Sequence, residues 1–313
     1  MLHLVLRRLA MSVPLLFVVT FLTFFLNSLA PGDLARTMMQ GEGTEELYQA
    51  LRKELGLDRP MLVRYGQWLA QAVQGDLGVS HLSKERVTDL LNSRVGTTLS
   101  LMAGVLVVCV AAGLALGVLS ALRGGWVGRA IDTLSLTGLI FPSFWVALVY
   151  IAVFAVWLRW LPATGYTPLW QDPKLWLLGL VLPVLSVAMQ PITTVAKQTR
   201  DAMKDVMGRD FVRALRASGI PERAIVWKHA LRNAALPVVT VLGLVMVGAI
   251  SGTVFVERVF VLPGLGSLAV SAALSNDIAV LQGATLYFTL LTIGINLLVD
   301  LSYGWLNPKV RVQ

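Results

Sequence analysis

Charged residues are bunched along this chain. Between the bunches lie apolar stretches long enough to cross a bilayer, which takes about 20 residues as a helix. After Arg7-Arg8, Leu9 to Leu29 runs 21 residues without a charge and predicts a first span. It ends in Pro31-Gly32-Asp33 rather than a small-residue cleavage site, so an uncleaved span is expected in place of a signal peptide. Val95 to Leu122 gives a second span, followed by a tight basic loop from Arg123 to Arg129. A third is predicted from Ile131 to about Leu158, passing through Pro142, with Asp132 at the positive end of its helix dipole. Leu175 to Ala196 makes a fourth and contains Pro183 and Pro191, which are expected to be plain kinks, with hinges for gating as the alternative. Ala234 to Val256 and Gly283 to Tyr303 complete six.

The polar intervals differ in character. Residues 31–94 look soluble. Leu47, Leu51 and Leu55 form an apolar helical stripe stopped by Gly56 and Pro60. Tyr65, Trp68, Leu69 and Ala72 predict a second short helix ending near Gly75. Arg159 to Lys174 carries Trp160, Tyr166 and Trp170, an interfacial aromatic cluster. The interval from Thr199 to Pro237 is the most organised. Met203, Met207, Phe211 and Leu215 recur every four residues and predict one stripe on one helix, with Lys204, Arg213 and Arg216 beside it. Ser218-Gly219 is expected to stop that helix, because glycine accepts the left-handed cap conformation. Pro221 suits the first turn of a second helix carrying Ile225, Trp227, Lys228 and Arg232 up to Pro237. Nine Lys and Arg fall between Lys197 and Arg232, and a helix–Gly–helix with that charge predicts a docking element.

Composition agrees with a membrane protein: 56% of residues are apolar and 14% charged, against about 25% charged in soluble domains. Cys109 is the single cysteine, which excludes a disulfide framework and a cysteine-based metal site. The net charge of +8 lies beside spans rather than in a stripe with interleaved aromatics, so no nucleic-acid partner is expected. No Gly-x-x-x-x-Gly-Lys-Ser/Thr loop is present to cradle a nucleotide phosphate. His3, His81 and His229 make no metal spacing, and no Gly-x-Ser-x-Gly elbow exists. Ser143, Ser186 and Ser251 lie within spans, where small polar residues pack helices. Asp300 is acidic within the last span, and an ion pair with a loop arginine or Lys309 is expected there, in preference to a proton relay.

The loop resembles the signature of the permease subunits of binding-protein-dependent ABC importers. Against its general form, Arg213-Ala214-Leu215 holds the first three places and Gly219 the glycine; Ala214, Gly219 and Leu231 match. The dipeptide/oligopeptide/nickel branch is closer: Arg216-Ala217-Ser218-Gly219 and His229 to Pro237 follow its pattern, with Ser218 where that branch usually has Lys. Pro31-Gly32-Asp33, Leu55 to Pro60, Gly75 to Gly78, Pro263-Gly264-Leu265-Gly266 and the closing Asn307-Pro308-Lys309 are similar to runs in the same branch.

That resemblance implies an all-α, six-span type I importer permease fold. Residues 1–30 hold the N-terminus and span one, 31–94 an external insertion, 95–306 a five-span core and 307–313 a cytoplasmic tail. Within the core, 199–233 is the ATPase-docking loop and 257–283 an external loop. Docking falls to Met203, Met207, Phe211, Arg213, Ala214, Leu215, Arg216, Gly219 and Pro221. Pro263, Gly264, Leu265 and Gly266 fall at an external gate or binding-protein contact, where the family has a short helix dipping back toward the membrane. The implied partners are a second homologous permease, two ATPase subunits, a substrate-binding protein and the lipid bilayer. ATP and Mg belong to the ATPases; the chain holds no cofactor, no metal and no catalytic residue. The cargo is expected to be di- or oligopeptide, with glutathione or nickel chelates as alternatives. A secondary transporter would show internal symmetry or paired midplane charges, and neither is evident. Basic residues flank the even-numbered ends of the spans, which puts both termini and the docking loop in the cytoplasm.

Overall fold

The structure, a computed structural model, describes residues 2–29, 35, 39, 44–54, 56–123, 128–130, 133, 138 and 140–306. Asp132, Lys309 and the Pro31-Gly32-Asp33 run lie outside them. In chain order the helices are α1 (Leu2–Leu29), α2 (Glu45–Glu54), α3 (Met61–Val73), α4 (Val87–Leu122) and α5 (Ser143–Tyr150), which continues as a π-helical turn over Ile151–Trp157. They go on as α6 (Pro173–Met207), α7 (Asp210–Ala217), α8 (Glu222–Val259), α9 (Leu265–Leu274) and α10 (Ile278–Leu306). Among the described residues the one pairing of extended backbone is a bridge between Val79 and Arg86. Among the described residues five helices are long and apolar enough to cross a membrane, and Ser143–Trp157 is a shorter apolar one at the third predicted span.

Three boundaries differ from the sequence reading. The third span does not run helically through Pro142. Pro142 has φ −61° and ψ 144° and starts α5 from outside, because the proline ring disfavours a helical residue before it. The second docking helix does not stop at Pro237. It continues into the fifth span as α8, with Pro237 inside, since one missing backbone donor is tolerated within a membrane helix. The predicted stripe from Met203 to Leu215 is split between α6 and α7. Helix α6 has 35 residues, about 50 Å at 1.5 Å per residue, against roughly 30 Å of hydrocarbon. Its last turns, after the uncharged run ends at Ala196, therefore stand clear of the membrane and carry the loop.

The chain forms two compact units. One contains Met1–Val5, Leu99–Leu262 and Gly294–Gln313. Its centre is the packing of α6 on α8, around Val195, Met203, Val226, Ala234 and Val238. Gly117 of α4 lets that helix come against α6: a Cβ there would lie 2.6 Å from the Ala196 carbonyl oxygen and 2.5 Å from Thr199 Cβ. Tyr303 of α10 donates to Thr240 of α8.

The other unit contains Leu6–Thr98 and Pro263–Ile293, so the segment between the first two spans belongs with residues 263–293. Helices α2 and α3 end at Gly56 and Gly75, where the sequence predicts. Tyr65 of α3 is buried edge-on against Phe17, Phe21 and Phe24 of α1, and its hydroxyl lies 3.0 Å from Thr20 Oγ1. Ser80 donates to Asp277 at 2.6 Å, Gln282 donates to the Thr20 carbonyl at 2.8 Å, and all four are buried. These bonds engage polar groups that would be costly to bury unpaired, although Gln282 Oε1 has no partner among the described residues.

Candidate functional site

Helix α6 ends at Met207 because Gly208 and Arg209 follow, and Arg209 is extended at φ −76° and ψ 152°. Asp210 then occupies the first turn of α7, where the helix dipole favours an acid. The break turns the two methionines away from the predicted docking stripe. Met203 is 0% exposed in the protein's own core, and Met207 packs at the edge of that core. On α7, Val212 is 0% exposed and faces inward, while Phe211 is 37% exposed. Phe211, Ala214, Leu215 and Ser218 follow at i, i+3, i+4 and i+7, one face of the helix, on which only Leu215 is half-covered. Arg213 and Arg216 are exposed beside it.

The turn after α7 is a full glycine cap. Ile220 N–H donates to the Leu215 carbonyl at 3.2 Å, Gly219 N–H to Arg216 at 3.0 Å, and Gly219 has φ +75°. Pro221 sits just before α8, at φ −64° and ψ 140°, one place earlier than predicted. Arg216 binds Glu222 with two hydrogen bonds, 2.6 and 3.1 Å, across the turn. This forked pair braces the angle between α7 and the start of α8. The sequence reading missed it, because six residues separate the partners through a turn and no helical spacing links them. The first turns of α8 widen into a π-helix over Ile225–Ala230, with Ile225, Val226 and Ala230 buried. Asp205–Arg209 and Asp210–Arg213 form further exposed ion pairs, whereas Lys204, Arg223, Lys228 and Arg232 have no acidic partner among the described residues.

The turn over Pro263–Gly266 has a structural task of its own. Gly264, Leu265 and Gly266 are buried and Pro263 is exposed. Leu265 N–H, at the start of α9, donates to Thr98 Oγ1 at 2.9 Å. Just before it, Val261 closes α8 at φ +55°, a strained setting for a β-branched residue. Asp300 is buried and engaged in polar contact, as is Glu257, a fully buried acid that the hydropathy pattern places at a loop edge. Among the described residues no group of three His, Cys, Asp or Glu is placed to hold a metal.

A second feature lies within the membrane-spanning helices. A cavity of about 460 Å³ is bordered by the break at Pro142, by Ser143, by Gln190 and Thr194 of α6, and by Gly248 and Ser251 of α8. Gln190 Nε2 donates to the Phe141 carbonyl at 3.3 Å, the group that the helix break leaves open. The hydroxyls of Ser143 and Ser251 have no hydrogen-bond partner among the described residues.

Residues 113–312 match the family described as binding-protein-dependent transport system inner membrane component, and residues 1–102 match that family's N-terminal part. The chain belongs to this family. It is therefore a multi-pass inner-membrane permease subunit of an ABC importer, working with a substrate-binding protein and with separate ATPase subunits. A putative peptide transport system permease protein of Brucella abortus is 39% identical to this permease over 310 residues, 98% of each chain. The glutathione transport system permease protein GsiC of Escherichia coli K12 is 38% identical over 314 residues, all of both chains. A probable peptide ABC transporter permease protein of Sinorhizobium fredii is 36% identical over 308 residues, 98% of each. These relatives support the peptide branch that Arg216-Ala217 and His229 to Pro237 point to.

Proposed function

We propose that this permease is half of a translocation pathway for short peptides, paired with a second homologous permease and driven by two ATPases on its cytoplasmic loops. The observation that carries the reading is the outer face of α7. Phe211, Ala214 and Ser218 are exposed and Leu215 half-covered, while Val212 behind them is buried and the Arg216–Glu222 pair spans the turn that follows the helix. A short helix with an exposed aromatic in its first turn suits a groove on a soluble partner. Because α7 is joined to α6 and α8, movement of the ATPases passes to two membrane helices as a rigid-body shift. In this reading both termini and the loop are cytoplasmic, the insertion is external, and the Pro263–Gly266 turn lies near the binding protein.

The cavity at Pro142 suits a cargo that hydrogen-bonds through its peptide backbone. Irregular backbone is tolerated at membrane depth only where protein or water covers it, and the serines and Gln190 offer uncharged donors and acceptors of the kind a peptide backbone uses. The name of the Escherichia coli relative favours glutathione, itself a small peptide, as a second reading. Donors for a naked metal ion are not grouped among the described residues. Uptake of labelled dipeptide, oligopeptide and glutathione into proteoliposomes holding the complete importer tests this. ATP-dependent uptake of a peptide is expected. Uptake driven by an ion gradient without the ATPases overturns the proposal.

A further inference from the structure

Helix α8 enters the membrane beside a cleft that the loop's docking role leaves unused. The cleft measures about 620 Å³ and lies within the unit that holds α6 and α8. Its walls are aliphatic: Val110 and Leu114 of α4, Val195 of α6, and the Leu231, Val238 and Leu242 side of α8. Its polarity is all at one end. Lys228 and Arg232, four residues apart on one face of α8, stand there beside Trp227, and Trp305 also borders the cleft. Trp227 is 54% and Trp305 73% exposed. Neither cation has an acidic partner among the described residues, although other arginines of the loop are paired.

From these features we infer that the cleft is a binding site for one anionic glycerophospholipid, its phosphate held between Lys228 and Arg232 and an acyl chain laid along α8. Three observations converge. The distance from Arg232 to Leu242 is ten residues of helix, about 15 Å, which matches half of a roughly 30 Å hydrocarbon core. Exposed tryptophans belong at the headgroup level, where the ring meets both phases. Basic pockets between membrane helices bind acidic headgroups, and here neither cation has an acidic partner among the described residues. The π-helical turn over Ile225–Ala230 adds a residue to the turn that carries Trp227 and Lys228, a local irregularity of the sort found at binding sites. A soluble protein partner would meet the two cations equally well but leaves the aliphatic slot beneath them unfilled. The inference rests on the membrane location of the chain and not on ATPase docking.

The test measures lipid carried by the full-length permease purified in mild detergent without its ATPases. Phosphatidylglycerol and phosphatidylethanolamine are extracted and quantified by mass spectrometry, against their ratio in the source membrane. Enrichment of phosphatidylglycerol is expected, falling several-fold in Lys228→Gln/Arg232→Gln and in Ala235→Trp, which obstructs the slot while keeping both charges. The charge variant alters exposed side chains only, so it decides the matter if Ala235→Trp fails to insert. No enrichment in the unaltered chain overturns the inference. So does a ratio that the charge variant leaves unchanged while its capture of the ATPases is lost, which assigns the two cations to the protein partner.

Discussion

Gly219 is where one side chain decides the geometry of the loop. Its φ of +75° suits glycine, yet no heavy atom lies within 4 Å of an added Cβ. The cost of substitution is therefore backbone strain alone, about 1–2 kcal/mol for alanine and more for a β-branched residue. Gly219→Ala is expected to weaken ATPase capture roughly fivefold to thirtyfold by that strain. Gly219→Val should weaken it further while membrane insertion is unchanged; pull-down of the ATPase by the purified permease reads both. His81 offers a pH-dependent counterpart. Burial lowers its pKa, opposed by the nearby Asp277 carboxylate and aided by Lys84. The folded chain then holds the proton less tightly than the unfolded one, whose imidazole titrates near ~6.5. Stability is flat above that pH and declines as pH falls from there toward the folded value. Thermal unfolding between neutral and mildly acidic pH should show this slope, and His81→Gln should flatten it.

At the scale of elements, α4 and α6 pack closely at Gly117. The Ala196 carbonyl oxygen at 2.6 Å from a Cβ on Gly117 is backbone and cannot turn aside. Gly117→Val is expected to force the helices apart at about 1–3 kcal/mol, read as a lower unfolding temperature of the purified permease. Gly248→Ala, open around its Cβ, is the control and should change little. Most of these elements were legible in the sequence. Uncharged runs located the five long apolar helices, and Leu47/Leu51 and Tyr65/Trp68/Ala72 located α2 and α3. What periodicity missed lies at single residues. Met203, Met207, Phe211 and Leu215 keep helical spacing across Gly208-Arg209, so the pattern continues where the helix does not. Pro142 and Pro237 look alike in sequence, yet one starts a helix and the other lies inside one. Neighbouring helices decide that difference, and hydropathy does not record them. Val212, the buried anchor of α7, sits between Phe211 and Arg213 and carries no signal of its own.

Across the whole molecule, the span pattern and the loop's Arg216-Ala217 and His229–Pro237 runs were enough to point to an importer permease, and family membership agrees. The cargo was less legible, because peptide, glutathione and metal chelate differ in groups that an uncharged membrane wall barely distinguishes. The central claim is that the outer face of α7 meets an ATPase. Site-specific cross-linking tests it most directly, with Phe211→Cys and Val212→Cys each placed in a Cys109→Ala chain and assembled into the complete importer. The exposed position 211 is expected to cross-link to the ATPase subunit, and the buried position 212 is not. Labelling of Phe211→Cys from outside intact cells, or active transport with no cross-link from position 211 to the ATPase, would contradict the account.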